Sequence, residues 1–183
     1  MDKANLSAIR ETFGRVVYTH KTHEKAAEIC TSQNKWFKRI NLFLLSLTTG
    51  SALGSILKGE AFIIMTSILS TVALFFIIYQ LSLNPEHDAL LHKRTAIKLW
   101  HIREQYQNLI ADIVTEGLAP NKIAEKRDML LSELNKILQD APQTDSKAYS
   151  KAREALKLKE EMTFSDKEID SFLPEELRLG KTK

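Results

Sequence analysis

The residues best suited to chemistry are two histidines one helical turn apart, His20 and His23, with Glu24 beside them. A structural zinc site normally needs four ligands, and this group supplies two imidazoles on a basic stretch. Cys30 is the only cysteine, so neither a disulfide nor a thiolate cluster can form within one chain. We expect the histidines to be solvated polar residues and Cys30 to be a small apolar residue on a helix face, with no metal site.

Sequence motifs for catalysis are missing as well. The chain has no G-x-x-x-x-G-K-[ST], G-x-G-x-x-G, H-E-x-x-H or G-x-S-x-G pattern. Its net charge of +3 is modest, and no basic cluster is interleaved with aromatic residues as in nucleic-acid sites. We therefore expect no catalytic residue, no cofactor and no nucleic-acid partner, which makes an enzyme the least favoured class.

The charged residues are distributed very unevenly along the chain. A mean hydropathy of -0.21 and 27% charged residues are typical of a soluble protein, yet between residues 40 and 85 only Lys58 and Glu60 are charged. They separate two uncharged runs, residues 40–57 and 61–83, which as helices would be about 27 and 35 Å long, against about 30 Å for the hydrocarbon core of a bilayer. This pattern predicts a transmembrane hairpin over residues 40–83. A buried helical hairpin in a soluble bundle is the alternative, although no face of residues 61–83 carries a charge.

The first predicted span is the more polar of the two, and two of its faces stand out. Small residues recur every fourth position on one face, as in close-packed membrane helices: Ser46, Gly50 and Gly54. We interpret them as a helix-packing ridge, either within the hairpin or between protomers. Polar residues recur every seventh position on another face: Asn41, Thr48 and Ser55. They are candidate pore-lining residues, unless the hydroxyl groups only bond back to carbonyls of their own helix.

The residues that flank the spans predict the topology. Lys38 and Arg39 precede the first span and further basic residues follow the second, so the positive-inside rule places both termini in the cytoplasm. Trp36 and Tyr79 lie near the same predicted interface, where amphipathic aromatic side chains are enriched. These four residues are candidate interface anchors to the lipid bilayer.

The remaining segments have apolar residues at helical spacing and residues that are typical of helix ends. We predict an N-terminal cytoplasmic helix within residues 1–39, beginning near Asn5 and continuing into the first span. Residues 84–162 are predicted to form cytoplasmic helices that begin after a kink at Asn84-Pro85, with the first ending at Gly117 and the later two covering residues 120–139 and 146–162. Residues 163–183 are predicted to form a short helix, with a Ser165/Glu168 capping box, and a basic tail. The fold class is therefore an all-α membrane protein, in which the apolar faces of the N-terminal helix and of the helix after the second span cover each other.

These features resemble a known family. The stretch YTHKTHEKAA at residues 18–27, the hairpin, the long helix after it and EIDSFLPEELR at residues 168–178 are similar to the SLATT domain, the SMODS- and SLOG-associating two-transmembrane effector. The resemblance implies a two-span protein of the bacterial inner membrane that acts in antiphage or nucleotide-linked conflict systems. Such an effector is expected to form a homo-oligomer that perforates the membrane when a partner sensor or nucleotide-producing enzyme fires, which stops growth of the infected cell. The family supplies no catalytic residues to carry over.

Two functions remain open at this point. In the first, several hairpins form a regulated pore, with the first spans lining the water path. In the second, the hairpin only anchors a cytoplasmic helical assembly that recruits other proteins.

Overall fold

The structure is a computed structural model that describes the backbone of residues 3–179 and the side chains of residues 5–56 and 59–179. Six α-helices and one 3₁₀ turn follow each other along this part of the chain: α1 Lys3–Lys58, α2 Glu60–Leu83, α3 Pro85–Val114, α4 Pro120–Gln139, α5 Ser146–Lys157, α6 Asp166–Phe172 and the turn Glu175–Leu177. The described residues contain no strand, so the all-helical prediction is confirmed.

Helix α1 is a single uninterrupted helix of 56 residues. At 1.5 Å per residue it is about 84 Å long, and Gly14 does not break it. The predicted helix that starts near Asn5 and continues into residues 40–57 is confirmed. α1 therefore packs both on the apolar helix α2 and on the charged helices α3 and α5.

The chain turns back at Gly59, whose φ of 90° is in the region that favours glycine. Asn84 then separates α2 from α3, with φ 41° and ψ 53° and its N–H bonded to the carbonyl of Gln80. Asparagine tolerates this left-handed conformation, and Pro85 occupies the first position of α3, where its missing N–H costs no helix hydrogen bond. The predicted kink is thus a true boundary between two helices.

The main core lies between α1 and α3, which run antiparallel. Buried residues of α3 recur at intervals of three and four: His92, Thr95, Leu99, Ile102, Tyr106, Leu109 and Ile113. Those from Leu99 to Ile113 pack with Ile9 and Val16 of α1, while Ile123, Leu130 and Leu134 of α4 cover the far end of α3. Helix α5 packs on α1 through its buried alanines. The predicted mutual burial of the two amphipathic faces is confirmed.

Two predicted helix ends were wrong. Helix α3 ends at Val114 rather than at Gly117; Glu116 takes a positive φ of 53°, and the N–H of Gly117 bonds back to the carbonyl of Asp112 at 2.9 Å. Helix α5 ends at Lys157 rather than at Met162. The chain leaves the helix there, and the carboxylate of Glu161 bonds to lysines of α1. The capping box of Ser165 and Glu168 forms as predicted.

Candidate functional site

Helix α2 lies on the outside of the molecule. One stretch of the described residues, within Glu60–Val114, is long and apolar enough to cross a membrane; it contains an 18-residue window of mean hydropathy 2.5, and none of that window is buried. Exposed apolar side chains cover every side of α2 that does not face α1. Soluble monomers rarely expose a continuous apolar surface of this extent.

The seam between α1 and α2 follows a seven-residue repeat. Its half-buried or buried members in α1 are Asn41, Leu44, Thr48, Ser51 and Ser55. Those in α2 are Phe62, Thr66, Leu69, Ala73, Phe76 and Gln80. Alternating intervals of three and four residues are typical of helices that coil around each other in a left-handed sense.

Polar side chains on this seam bond to each other. The Asn41 amide donates to the Gln80 side-chain oxygen. At the other end, Ser51 Oγ lies 2.7 Å from Thr66 Oγ1 and 3.2 Å from the carbonyl oxygen of Phe62. Ser51 is only 3% exposed, and our sequence analysis missed it. The seven-residue spacing Phe37, Leu44, Ser51 is the signal by which it could have been found.

The predicted pore-lining residues lie on this same seam. Within one chain, Asn41, Thr48 and Ser55 face α2 rather than an open surface. The Thr48 hydroxyl donates to the Leu44 carbonyl at 2.8 Å, and the Ser55 hydroxyl donates to the Ala52 carbonyl at 2.7 Å. Contact with water would require this face to separate from α2, so the pore-lining role stays a prediction.

The predicted packing ridge divides into two parts. Ser46 and Gly50 are exposed, and a Cβ added at Gly50 would meet nothing within 4 Å. By contrast, a Cβ added at Gly54 would lie 2.5 Å from Cδ1 of the Phe62 ring. Gly54 therefore permits close approach of α1 and α2 in one chain, whereas Gly50 is free to contact another molecule.

The predicted interface anchors lie at one end of the two apolar runs, just before residue 40 of α1 and near the C-terminal end of α2. The rings of Trp36 and Phe76 have centroids 6.5 Å apart, and both pack around Phe37, whose ring also lies 6.2 Å from that of Tyr79. Lys38 Nζ lies 3.1 Å from the Glu86 carboxylate, whereas Arg39 is exposed. Their position at a membrane interface stays a prediction.

The prediction that His20 and His23 are solvated is wrong. They are 4% and 3% exposed, and His23 Nδ1 lies 3.0 Å from Nδ1 of His92 on α3. Both histidines lie on the face of α1 that packs against α3 and that also carries Ile9 and Val16. This position buries them against α3, although their polarity indicated a surface position. Cys30 is half-buried on the same face of α1, as predicted for a small residue on a helix face.

The histidine pair can bond α1 to α3 only while at least one of the two rings is neutral. One Nδ1 must carry a proton and donate it, and the other must accept. Burial, with the neighbouring imidazoles of His92 and His20, lowers the pKa of His23 to about 4. Burial also lowers the pKa of His92, against the opposing charges of Asp88 and Asp145. The described residues contain no group of three or more metal-binding side chains close enough to hold a metal ion.

The burial of His23 predicts that acid weakens the fold. Between pH 6.5, the ordinary pKa of histidine, and about 4, the folded chain binds fewer protons at His23 than the unfolded chain does. The contribution of His23 to the free energy of unfolding should therefore be fully present above pH 6.5 and be lost as the pH is lowered through this window. Thermal melting in detergent, followed by circular dichroism at pH 7.5, 6 and 5, measures this slope.

The variant His23→Gln should reduce the pH slope because it removes the titrating group. His87→Gln is the matched control, since His87 is exposed on α3. An unchanged slope in His23→Gln would contradict the assignment.

Lys21 ties the segment after α5 to α1. Its Nζ lies 2.7 Å from Glu24 Oε2 and 2.8 Å from Glu161 Oε2, while Lys25 Nζ lies 3.3 Å from the same Glu161 oxygen. Burial by itself lowers the pKa of Lys21, but its hydrogen bonds to Glu161 and Glu24 outweigh that effect and raise the pKa overall. The chain is thus fixed at Glu161 before it continues into α6.

Fold and surface together define an all-helical protein built around an exposed apolar helix of membrane-spanning length. The family model of the SMODS and SLOG-associating 2TM effector domain family 4 matches residues 6–168, and the chain belongs to this family. The resemblance to the SLATT domain is thereby confirmed, and that domain is a two-transmembrane effector associated with conflict systems. A search of curated proteins and a search of solved structures found no match.

Proposed function

We propose that residues 40–57 and 61–83 cross the bacterial inner membrane as two helices, and that several copies associate into a pore that disrupts it. Both termini lie in the cytoplasm in this proposal, where a sensor or nucleotide-producing partner of the conflict system triggers the pore. The observation that carries the proposal is the unburied apolar window of α2 in a member of a two-transmembrane effector family. Lipid is the environment in which such a surface is stable.

The apolar part of α1 supports a second span. Away from the α2 seam it exposes large apolar side chains along its whole length: Leu42, Phe43, Leu45, Leu47, Leu53 and Ile56. The exposed hydroxyls of Ser46 and Thr49 donate to carbonyls of their own helix at 2.8 and 2.9 Å. This segment is thereby suited to lipid contact, with Ser46 and Gly50 as the place for a neighbouring α1.

The composition of the spans bears on what such a pore would pass. Residues 40–57 and 61–83 contain no Asp, Glu, Lys or Arg. A pore built from them has no charged ring, so it should discriminate weakly between ions. The trigger must bind the open arrangement more tightly than the closed one, since equal affinity would shift nothing.

A membrane-anchored adaptor is the second candidate function, and the closed seam favours it. In a single chain the polar residues of α1 and α2 bond to each other or to their own helices. In the part of the seam that the structure describes, these side chains are then not free to line water. In this function the cytoplasmic helices recruit other proteins, and the two spans only hold them at the membrane.

Membrane potential separates the two functions. Expression in bacteria together with the neighbouring conflict-system genes should collapse the signal of a potential-sensitive dye if the chain forms a pore. The matched control is Val72→Arg, which places a charge near the middle of α2 at a cost of about 2.5–3.5 kcal/mol for insertion and should abolish the effect. An unchanged potential at every expression level, with the wild-type chain in the membrane fraction, would leave the adaptor function. Recovery of the chain without detergent would contradict both.

A further inference from the structure

The C-terminal segment of residues 164–179 carries apolar side chains that contact little of its own chain. Five of them are 44–84% exposed: Phe164, Ile169, Phe172, Leu177 and Leu179. The capping box of Ser165 and Glu168 nevertheless orders this segment locally as α6. A helix-bearing segment with this many exposed apolar side chains resembles the peptide side of a helix-in-groove contact.

A groove of matching character runs between α1 and α3. Its cavity volume is about 710 Å³, and its walls include Ile97 and Trp100 of α3 together with Lys35 and Lys93. Ile97 and Trp100 are largely exposed although they are apolar. Lys35 and Lys93 take part in none of the ion pairs found among the described residues.

The two surfaces have opposite charge. Residues 164–179 contain five acidic residues, Asp166, Glu168, Asp170, Glu175 and Glu176, against two basic ones, Lys167 and Arg178. The groove is lined by three lysines, Lys21, Lys35 and Lys93, against two glutamates. The glutamates within the groove, Glu24 and Glu28, already pair with Lys21 and Lys25. An acidic, apolar segment is therefore the occupant that this groove fits.

The residues that precede the segment lie beside the groove of their own chain, and no residue of the segment is among those that line the groove. Glu161 is fixed to Lys21, which lines the groove, and Met162 Sδ lies 3.6 Å from a guanidinium nitrogen of Arg103. Beyond this point Phe172 is 79% exposed. The chain is thus held next to the groove while its apolar residues point elsewhere, which suits an exchange between neighbouring copies.

We propose that residues 164–179 of one copy dock in the α1–α3 groove of a second copy. Phe172 and Leu177 pack against Ile97 and Trp100, and Glu175 and Glu176 face Lys35 and Lys93. The inference rests on the homo-oligomer of the proposed function and adds a cytoplasmic contact that holds it together.

Disulfide trapping between two differently tagged full-length copies tests the docking. Both copies carry Cys30→Ser; one also carries Ile97→Cys and the other Phe172→Cys. Mild oxidation of membranes should give a dimer that contains both tags, since a disulfide forms only where two Cα atoms come within about 7 Å. Leu131→Cys, on an exposed position of α4, replaces Ile97→Cys as the matched control and should give little dimer.

Charge exchange gives the second arm of the same experiment. Glu175→Lys with Glu176→Lys on the Phe172→Cys copy should reduce the mixed dimer about tenfold, which corresponds to about 1.4 kcal/mol. Lys35→Glu with Lys93→Glu on the other copy should restore it. All four residues are exposed or line the groove, so circular dichroism should record an unchanged helix content.

Three results would overturn the docking. They are equal trapping by the control pair, no recovery on charge exchange, and the absence of a mixed dimer when one copy that carries both Ile97→Cys and Phe172→Cys forms an internal disulfide. Dye recordings of membrane potential in the same cells keep the two proposals apart. A mixed dimer in cells with an unchanged potential supports the docking and counts against the pore. Depolarised cells without a mixed dimer overturn the docking alone.

Discussion

Replacing Gly50 with leucine should strongly reduce assembly and depolarisation while the chain still inserts into the membrane. Gly50 lies on an exposed face of α1, and an added side chain meets nothing in its own chain. The substitution therefore leaves the α1–α2 contact intact. Between two copies it fills the space that close backbone approach needs, and we expect oligomer on native gels to fall about tenfold, an effect of about 1.4 kcal/mol.

Two further variants make this result specific. Ser67→Leu places the same bulk on an exposed position of α2 whose hydroxyl bonds only to its own helix, and it should leave assembly unchanged. Gly54→Leu should act differently, because its side chain collides with Phe62 and separates α1 from α2. Full oligomerisation and toxicity in Gly50→Leu would remove the ridge of Ser46 and Gly50 from the proposed pore.

The second large effect is expected at the centre of the cytoplasmic core. Leu99 is 0% exposed on α3, between the histidine pair and Tyr106. Leu99→Ala should reduce the free energy of unfolding by about 2–5 kcal/mol, since it removes buried methyl groups and leaves a cavity. The total for a folded domain is only about 5–15 kcal/mol, so the melting temperature in detergent should fall clearly.

Leu90→Ala is the matched control on the same helix. Leu90 is 45% exposed, and its replacement should change the melting temperature little. Equal losses in the two variants would mean that α3 packs through a different face. That result would also displace His92 from its partner on α1.

Local sequence signals were enough to predict most of the helical architecture. The run of uncharged residues marked α2, the Asn84-Pro85 pair marked its junction with α3, and Ser165 with Glu168 marked the start of α6. Each of these signals acts within a few residues of the structure that it specifies. They were therefore readable without knowledge of the tertiary contacts.

The candidate site was harder to predict because its residues are defined by partners far along the chain. His23 meets His92 across 69 residues, and Ser51 meets Thr66 after the chain has turned back. Both positions were missed because a buried helix face is recognised from the spacing of its apolar residues. A polar residue on such a face breaks that pattern, so it was assigned to the surface. The early end of α5 had a similar cause, because Glu161 bonds to Lys21 from another helix.

The uninterrupted α1 has a mechanical consequence. Because α1 is about 84 Å long and has no break, a rotation of its N-terminal half about the helix axis would be transmitted toward Gly50. In the proposed pore, a partner that binds only the residues of α1 before the first span would thus change the face that Gly50 presents to neighbouring copies, without entering the membrane.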